Sequence, residues 1–151
     1  MSLLAARLTI ADASGRRSIA MRDFMKGAFT TAIGPGELLA DIEIEELSAE
    51  ARWGYYKVCR KEGEFPEAVG AAVFDPVREI ARVIVGALDG APVSLPALSE
   101  RIAAGGAAVA SADAVRAAVG EAVPGLDSVA LQIHAVAVRR AILQAIQVAG
   151  S

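Results

Sequence analysis

The sequence predicts an α+β protein: a β-rich front piece, then a three-stranded antiparallel sheet packed on a helical bundle. Three observations lead there. Up to residue 88 the apolar residues fall in short runs of strand length, separated by turn signals. From residue 96 the period lengthens to that of helices, with Ser or Asp ahead of the apolar runs and Gly or Pro behind them. Finally, 54% of the 151 residues are hydrophobic, mostly Ala, Val, Leu and Ile, enough to cover a sheet with helices.

Taken in order, "LAARLTIADA" (4–13) and "RRSIAM" (16–21) both alternate, and Ser14-Gly15 between them reads as a hairpin turn. "RDFMKGAFTTAI" spaces Phe24, Met25 and Phe29 by about one turn, which predicts a short helical turn before the punctuated loop "GPGE" (34–37). "ELLADIEIEEL" then alternates Leu39, Ile42 and Ile44 with acids, a strand with one wet face. After the charged bridge "SAEAR" come "WGYYKVCRK" (53–61), "EAVGAAVF" (67–74) and "IARVIVGAL" (80–88). Asp75-Pro76 marks the turn between the last two, so these three strands form a meander. The first helix is "LSERIAAG" (98–105), with Ser99 as its capping residue and its end at Gly105-Gly106. A second, "SADAVRAAVGEAV" (111–123), starts at Ser111 or Asp113 and stops before Pro124-Gly125. The third runs over 126–150 behind Asp127 or Ser128, with Val129, Ile133, Val136, Ile142 and Ile146 broadly on one side.

Charge and composition narrow the function classes. The 15 basic and 18 acidic residues are mixed along the chain, and this argues against the basic stripe of a nucleic-acid binder. No window reaches the roughly 18 uninterrupted apolar residues of a membrane span. Arg7 and Asp12 break the N-terminal run, so it does not read as a signal peptide. One cysteine, Cys59, excludes an internal disulfide and suits a reducing cytoplasm. Cys59 and the single His134 lie in elements of different type, without the short spacing of a metal site. Lys57, Arg60 and Lys61 could activate Cys59 as a nucleophile, but the preferred reading is a small apolar residue on a strand. Glu62, Glu64 and Glu67 read as a charged turn rather than as paired catalytic carboxylates. Neither "GPGE" nor "AAGGAA" has the pattern of a P-loop or of a dinucleotide fingerprint.

Two longer phrases carry a resemblance. "GAFTTAIGPGELLADIEI" followed by "WGYYKVCRKEGEFPEAVGAAV" resembles the FAD-binding medium subunit of the molybdenum hydroxylases, the group of carbon monoxide dehydrogenase and xanthine dehydrogenase. "RRAIL" (139–143) fits the family's closing helix, while His134-Ala135 stands where the family often has Tyr-Arg. Gly86-Ala87 replaces its usual Gly-Gly. The resemblance covers nearly the whole chain but only part of the family.

What the resemblance implies is specific. Residues 1–45 would be a remnant of the second subdomain of the FAD-binding domain, and 50–151 the C-terminal domain of the carbon monoxide dehydrogenase flavoprotein type. Leu39 would touch the flavin. Lys57 would lie near it, stabilising negative charge on the reduced isoalloxazine. Tyr55 and Tyr56 are neighbours on a strand, so only one of them can face that flavin. The family's upstream pyrophosphate-binding loops have no counterpart here, so FAD binding by this chain alone should be weak or absent. The expected partners are a molybdenum-cofactor large subunit and a [2Fe–2S] small subunit. Electrons would pass from iron–sulfur clusters through FAD to an acceptor, with no substrate oxidation on this chain. The competing expectation is a cofactor-free α+β binding or scaffold domain.

Overall fold

The computed structural model describes residues 1–27, 29–105 and 110–147. Its front piece is a small antiparallel sheet. Strands β1 (Arg7–Asp12) and β2 (Gly15–Ala20) form the expected hairpin, with Asp12 opposite Gly15. The Asp12 carboxylate accepts the Ser14 and Gly15 N–H groups at 2.7 and 2.9 Å, which sets the turn at Ala13-Ser14, one residue earlier than expected. A single helical turn, α1 (Met21–Phe24), sends Phe24 under the sheet beside Leu8 and Ile10. The helical spacing expected through Phe29 ends there. Residues from Met25 onward pair instead as the hairpin β3 (Met25–Gly27) and β4 (Thr30–Thr31), and Phe29 is left fully exposed at φ 56°.

β5 (Leu38–Glu43) pairs with the other side of β1, giving the order β2-β1-β5. Leu39 stands opposite Ile10 and Ile42 opposite Leu8, with a register shift between them. The extra residue, Ala40, is a bulge. It lets two leucine-sized side chains three positions apart share the core face, where strict alternation would separate them.

The second layer is the meander: β6 (Arg52–Val58), β7 (Ala68–Asp75) and β8 (Ile80–Gly86), all antiparallel. A two-residue strand, β9 (Val93–Ser94), extends the expected three strands to four. β6 stops at Val58, short of residue 61, because the chain turns back there. The Glu67 N–H reaches the Val58 carbonyl at 2.7 Å, and Arg60 pairs with the Glu67 carboxylate at 2.6 Å. Helices α2 (Pro96–Gly105), α3 (Ala112–Ala122) and α4 (Ser128–Gln147) cover one face of this sheet. Val83, Val85, Leu98, Val119, Val138 and Ile142 are fully buried between them.

Two glycines set how closely α4 can lie on the sheet. A Cβ on Gly70 would meet the Ala137 carbonyl and come within 2.5 Å of the Val138 Cα. One on Gly54 would overlap the Ala141 carbonyl and lie 2.7 Å from the Gln144 Cβ. The sheet therefore touches helix backbone, and α4 answers with small residues: Ala135, Ala137, Ala141 and Ala145 are all buried. This corrects the expected apolar face in part: Ile142 is buried and Ile146 packs on the core, as expected. Val129 is 65% exposed and Ile133 and Val136 are only half-buried, because the contact selects small side chains rather than large ones. By length and composition α4 is apolar enough to cross a bilayer, but in this fold it is the core helix under β6–β8.

The helix starts follow local chemistry. Ser111 caps α3 by accepting the Ala114 N–H, and Asp127 caps α4 by accepting the N–H groups of Val129 and Ala130, both at 2.8 Å. Ser99 is not a cap. Helix α2 begins three residues earlier, at Pro96, whose missing N–H costs nothing there. From inside the helix the Ser99 hydroxyl donates to the Leu95 carbonyl and accepts the Val83 N–H, both at 3.0 Å, tying α2 to β8. Gly106 and residues 148–150, the expected ends of α2 and α4, lie outside the described residues.

Asp75 joins the two layers. It is fully buried, and its carboxylate accepts the Ser48 N–H (2.7 Å), the Ser48 hydroxyl (2.6 Å) and the N–H groups of Val77 and Arg78. One side chain thus shapes the β7–β8 turn and anchors the linker between β5 and β6. Burial pushes its carboxyl pKa up, but the hydrogen bonds from Ser48, Arg78 and Val77 outweigh this and hold it below 3.8.

Two predictions follow from this packing. Gly70→Ala should destabilise the chain by about 1–3 kcal/mol, through overpacking against helix backbone. Gly125→Ala, where nothing stands within 4 Å, should stay within about 0.5 kcal/mol of the wild type in urea unfolding. Asp75 has a lowered folded pKa, so its contribution is complete above the ordinary carboxylate value and is lost as pH falls below it. Unfolding midpoints measured from about pH 6 down to about pH 2 should fall less steeply in Asp75→Asn than in the wild type. Parallel acid limbs would contradict the clamp.

Candidate functional site

The outer face of the β6–β8 sheet, away from α4, carries the candidate residues of β6. Alternation along β6 turns Gly54, Tyr56 and Val58 toward the helix and Trp53, Tyr55 and Lys57 outward. The two tyrosines part as expected. Tyr56 takes the Arg140 guanidinium of α4, which both donates to its hydroxyl and stacks 4.7 Å from its ring centroid. Tyr55 is half exposed on the outer face, while its backbone N–H, on the free edge of β6, is satisfied by the Gln144 side chain at 2.9 Å.

Lys57 is exposed, next to Val69 on β7, which in turn faces Gly86 on β8. Among the described residues no acid pairs with the Lys57 ammonium, whereas nearby Arg60 is held by Glu67. A free cation beside two outward aromatics can accept a flat ring with a negatively charged edge.

Leu39 lies in the other sheet, on β5, and is 38% exposed. The "GPGE" loop ahead of it is rigid for a definite reason. Both Glu37 oxygens are taken by Arg17, Nε to Oε1 and Nη2 to Oε2, each at 2.7 Å, and the Gly34 N–H adds a bond of 2.6 Å. Arg17 also donates to the Ala32 carbonyl at 2.7 Å. The Arg17 guanidinium first, and then the Gly34 N–H, hold the Glu37 carboxyl down at about 2. Arg17 and Glu37 are thus positioning residues for β5. The glutamate lay in the quoted loop, but nothing in the sequence pointed to its partner twenty residues earlier.

Between the front piece and the outer face of the second sheet lies an apolar cleft of about 690 Å³. Met21, Met25 and Leu47 face Trp53, Tyr55 and Ile84 across it. Sequence reasoning missed this cleft, since its walls come from residues as far apart as Met1 and Pro92. It does not unite the expected site residues: Val69 lines it, but neither Lys57 nor Leu39 does.

The remaining candidates stay apart. Cys59 is a half-buried free thiol just past β6. His134 is buried on α4 with Nδ1 2.8 Å from the Ala130 carbonyl and Nε2 3.4 Å from the Ala87 carbonyl, so it offers no base to Cys59. Among the described residues no three of His, Cys, Asp and Glu gather as a metal-ligand group.

No family model matches the chain. It is 38% identical over 73 residues to the carbon monoxide dehydrogenase medium chain of Afipia carboxidovorans, covering 48% of this chain and 25% of that one. It is also 38% identical over 65 residues to the glyceraldehyde dehydrogenase medium chain of Sulfolobus acidocaldarius, covering 43% and 23%. Among solved structures it superposes on a chain of reconstituted CO dehydrogenase from Oligotropha carboxidovorans with a TM-score of 0.83 and 25% identity, over 97% of this chain and 55% of that one. A chain of quinoline 2-oxidoreductase from Pseudomonas putida 86 gives 0.76 and 26%, over 97% and 54%. The matches thus span about a quarter of the curated relatives and about half of the solved chains. Local sequence identity and a fold shared from end to end agree that this chain resembles part of the FAD-binding medium subunit of the molybdenum hydroxylases, of the carbon monoxide dehydrogenase type.

Proposed function

We propose that this chain forms part of the FAD-containing electron-transfer subunit of a molybdenum-dependent dehydrogenase. In this reading it sits in the reducing cytoplasm with a molybdenum-cofactor large subunit and a [2Fe–2S] small subunit, and electrons from the iron–sulfur clusters leave through FAD to an acceptor. The flavin supplies the redox chemistry when bound. Residues 1–45 are the remnant of the FAD-binding domain, and residues 50–151 are the C-terminal domain.

The observation that carries this reading is Lys57 on the outer row of β6, with no acid paired to it among the described residues, in a chain that superposes over 97% of its length on a CO dehydrogenase chain. The outer row of β6 suits one edge of a flavin, and Leu39, which lies in the other sheet, would have to reach it from there. Lys57 offers a cation, Trp53 and Tyr55 offer aromatic surface beside it, and Leu39 offers an apolar contact at the end of a clamped loop. With a flavin bound, Lys57 would hold positive charge beside the ring, while Arg17 and Glu37 clamp the loop that leads to Leu39.

A second reading, a cofactor-free binding domain, draws on the exposed Leu38, Leu39 and Ile42 of β5. It requires Lys57→Ala to be silent in every assay.

Lumiflavin, which has the ring without the phosphates, tests the flavin reading directly. The expected result is saturable quenching of its fluorescence by the chain. Affinity should fall roughly tenfold, ~1.4 kcal/mol, in Lys57→Ala and stay unchanged in Cys59→Ser. Equal binding by Lys57→Ala would remove that side chain from the site.

A further inference from the structure

We infer that Arg140 and Gln144 of α4 are positioning residues: together they clip the free edge of β6 and so fix the outward row of Trp53, Tyr55 and Lys57. The inference rests on the flavin reading above and adds the residues that set the geometry of its site.

β6 ends its sheet and is bonded as a strand on one side only, to β7. An edge strand held from one side can twist and fray, and this one carries the row that must keep its place. What holds its other side is α4. Strand and helix run in opposite directions here: Gly54 lies against Ala141 and Gln144, and Tyr56 meets Arg140. Two strand residues advance about 6.6 Å and four helix residues about 6 Å, so the two elements stay matched.

The contacts follow from one another. Gly54 has no Cβ, and one placed there would stand 2.7 Å from that of Gln144, so the glycine is what admits this side chain to the strand. From that position the Gln144 Oε1 accepts the edge-facing Tyr55 N–H at 2.9 Å. Four residues earlier, on the same side of the helix, Arg140 donates to the Tyr56 hydroxyl and stacks 4.7 Å from its ring centroid. Both helix residues are exposed, so the core does not call for them. Tyr55 stands two residues from Trp53 and two from Lys57, and the Gln144 bond therefore pins the middle of the row.

Lumiflavin titration of Gln144→Ala, Gln144→Lys, Gln144→Glu and Arg140→Ala tests this. A carboxylate can still accept the Tyr55 N–H, and an ammonium cannot. Affinity should fall roughly fivefold in Gln144→Ala, Gln144→Lys and Arg140→Ala, and stay within about twofold of the wild type in Gln144→Glu. Urea midpoints should barely move, since exposed contacts add little to global stability, whereas the Tyr55 amide should exchange about tenfold faster in Gln144→Ala. Added to Lys57→Ala, Gln144→Ala should cost little further affinity, because it acts through that row. Equal affinity in Gln144→Ala and the wild type would overturn the inference, as would a loss that Gln144→Glu does not restore. A Gln144→Ala chain that dimerises would assign the residue to guarding the edge, and would overturn it too. The two readings fail separately: a wild-type chain that binds no lumiflavin defeats the flavin role itself, and binding that ignores the Gln144 series defeats the clip alone.

Discussion

The contact of Gly54 and Gly70 with the backbone of α4 is the constraint on which the rest of this structure depends. Only a residue without a Cβ lets a strand lie against the carbonyls of Ala137 and Ala141. Close approach in turn demands small residues on the helix, and this accounts for the alanine-rich run that otherwise gives the chain its bland look. It also sorts the β6 side chains. With the helix pressed on one face, Tyr56 is used up inside by Arg140, and Trp53, Tyr55 and Lys57 are left outside. The proposed flavin-facing row is a consequence of what the opposite face must do.

Two polar clamps then hold the front piece and its loop. Asp75 spends its carboxylate on the linker at Ser48 and on its own turn, so the path from β5 to β6 is tied down at a buried charge. Arg17 and Glu37 lock the loop that leads into β5. Both interactions join residues twenty or more positions apart. Neither is an ordinary surface ion pair, which would contribute little: the first is buried and fully hydrogen-bonded, and the second is bidentate with a backbone N–H added.

Much of the fold was legible because it is written in local rules. The first hairpin, the meander with its Asp75-Pro76 turn, and the caps at Ser111 and Asp127 each follow from a few neighbouring residues. The misses share a cause as well. Phe29 had helical spacing but was overruled by the pairing of Met25 with Thr31. Ser99 looked like a cap but serves β8. On α4, Ile142 and Ile146 do join the core, but Val129, Ile133 and Val136 do not, because the glycines opposite call for alanine. Leu39 and Lys57 were singled out through a resemblance of phrases, and the sequence already put them in different pieces, where the structure keeps them in separate sheets. The cleft between the layers had no signal at all, since it belongs to the packing of distant elements.

The central claim is that the outer row of β6 faces a flavin. Two-dimensional NMR of the labelled chain during titration with FAD tests it most directly, since it reads even weak binding one residue at a time. The account predicts that the amides of Trp53, Tyr55 and Lys57, with Leu39 on β5, shift progressively while those of Ala137 and Ala141 under the sheet stay still. Shifts confined to the helical face, with the β6 row still, would contradict it.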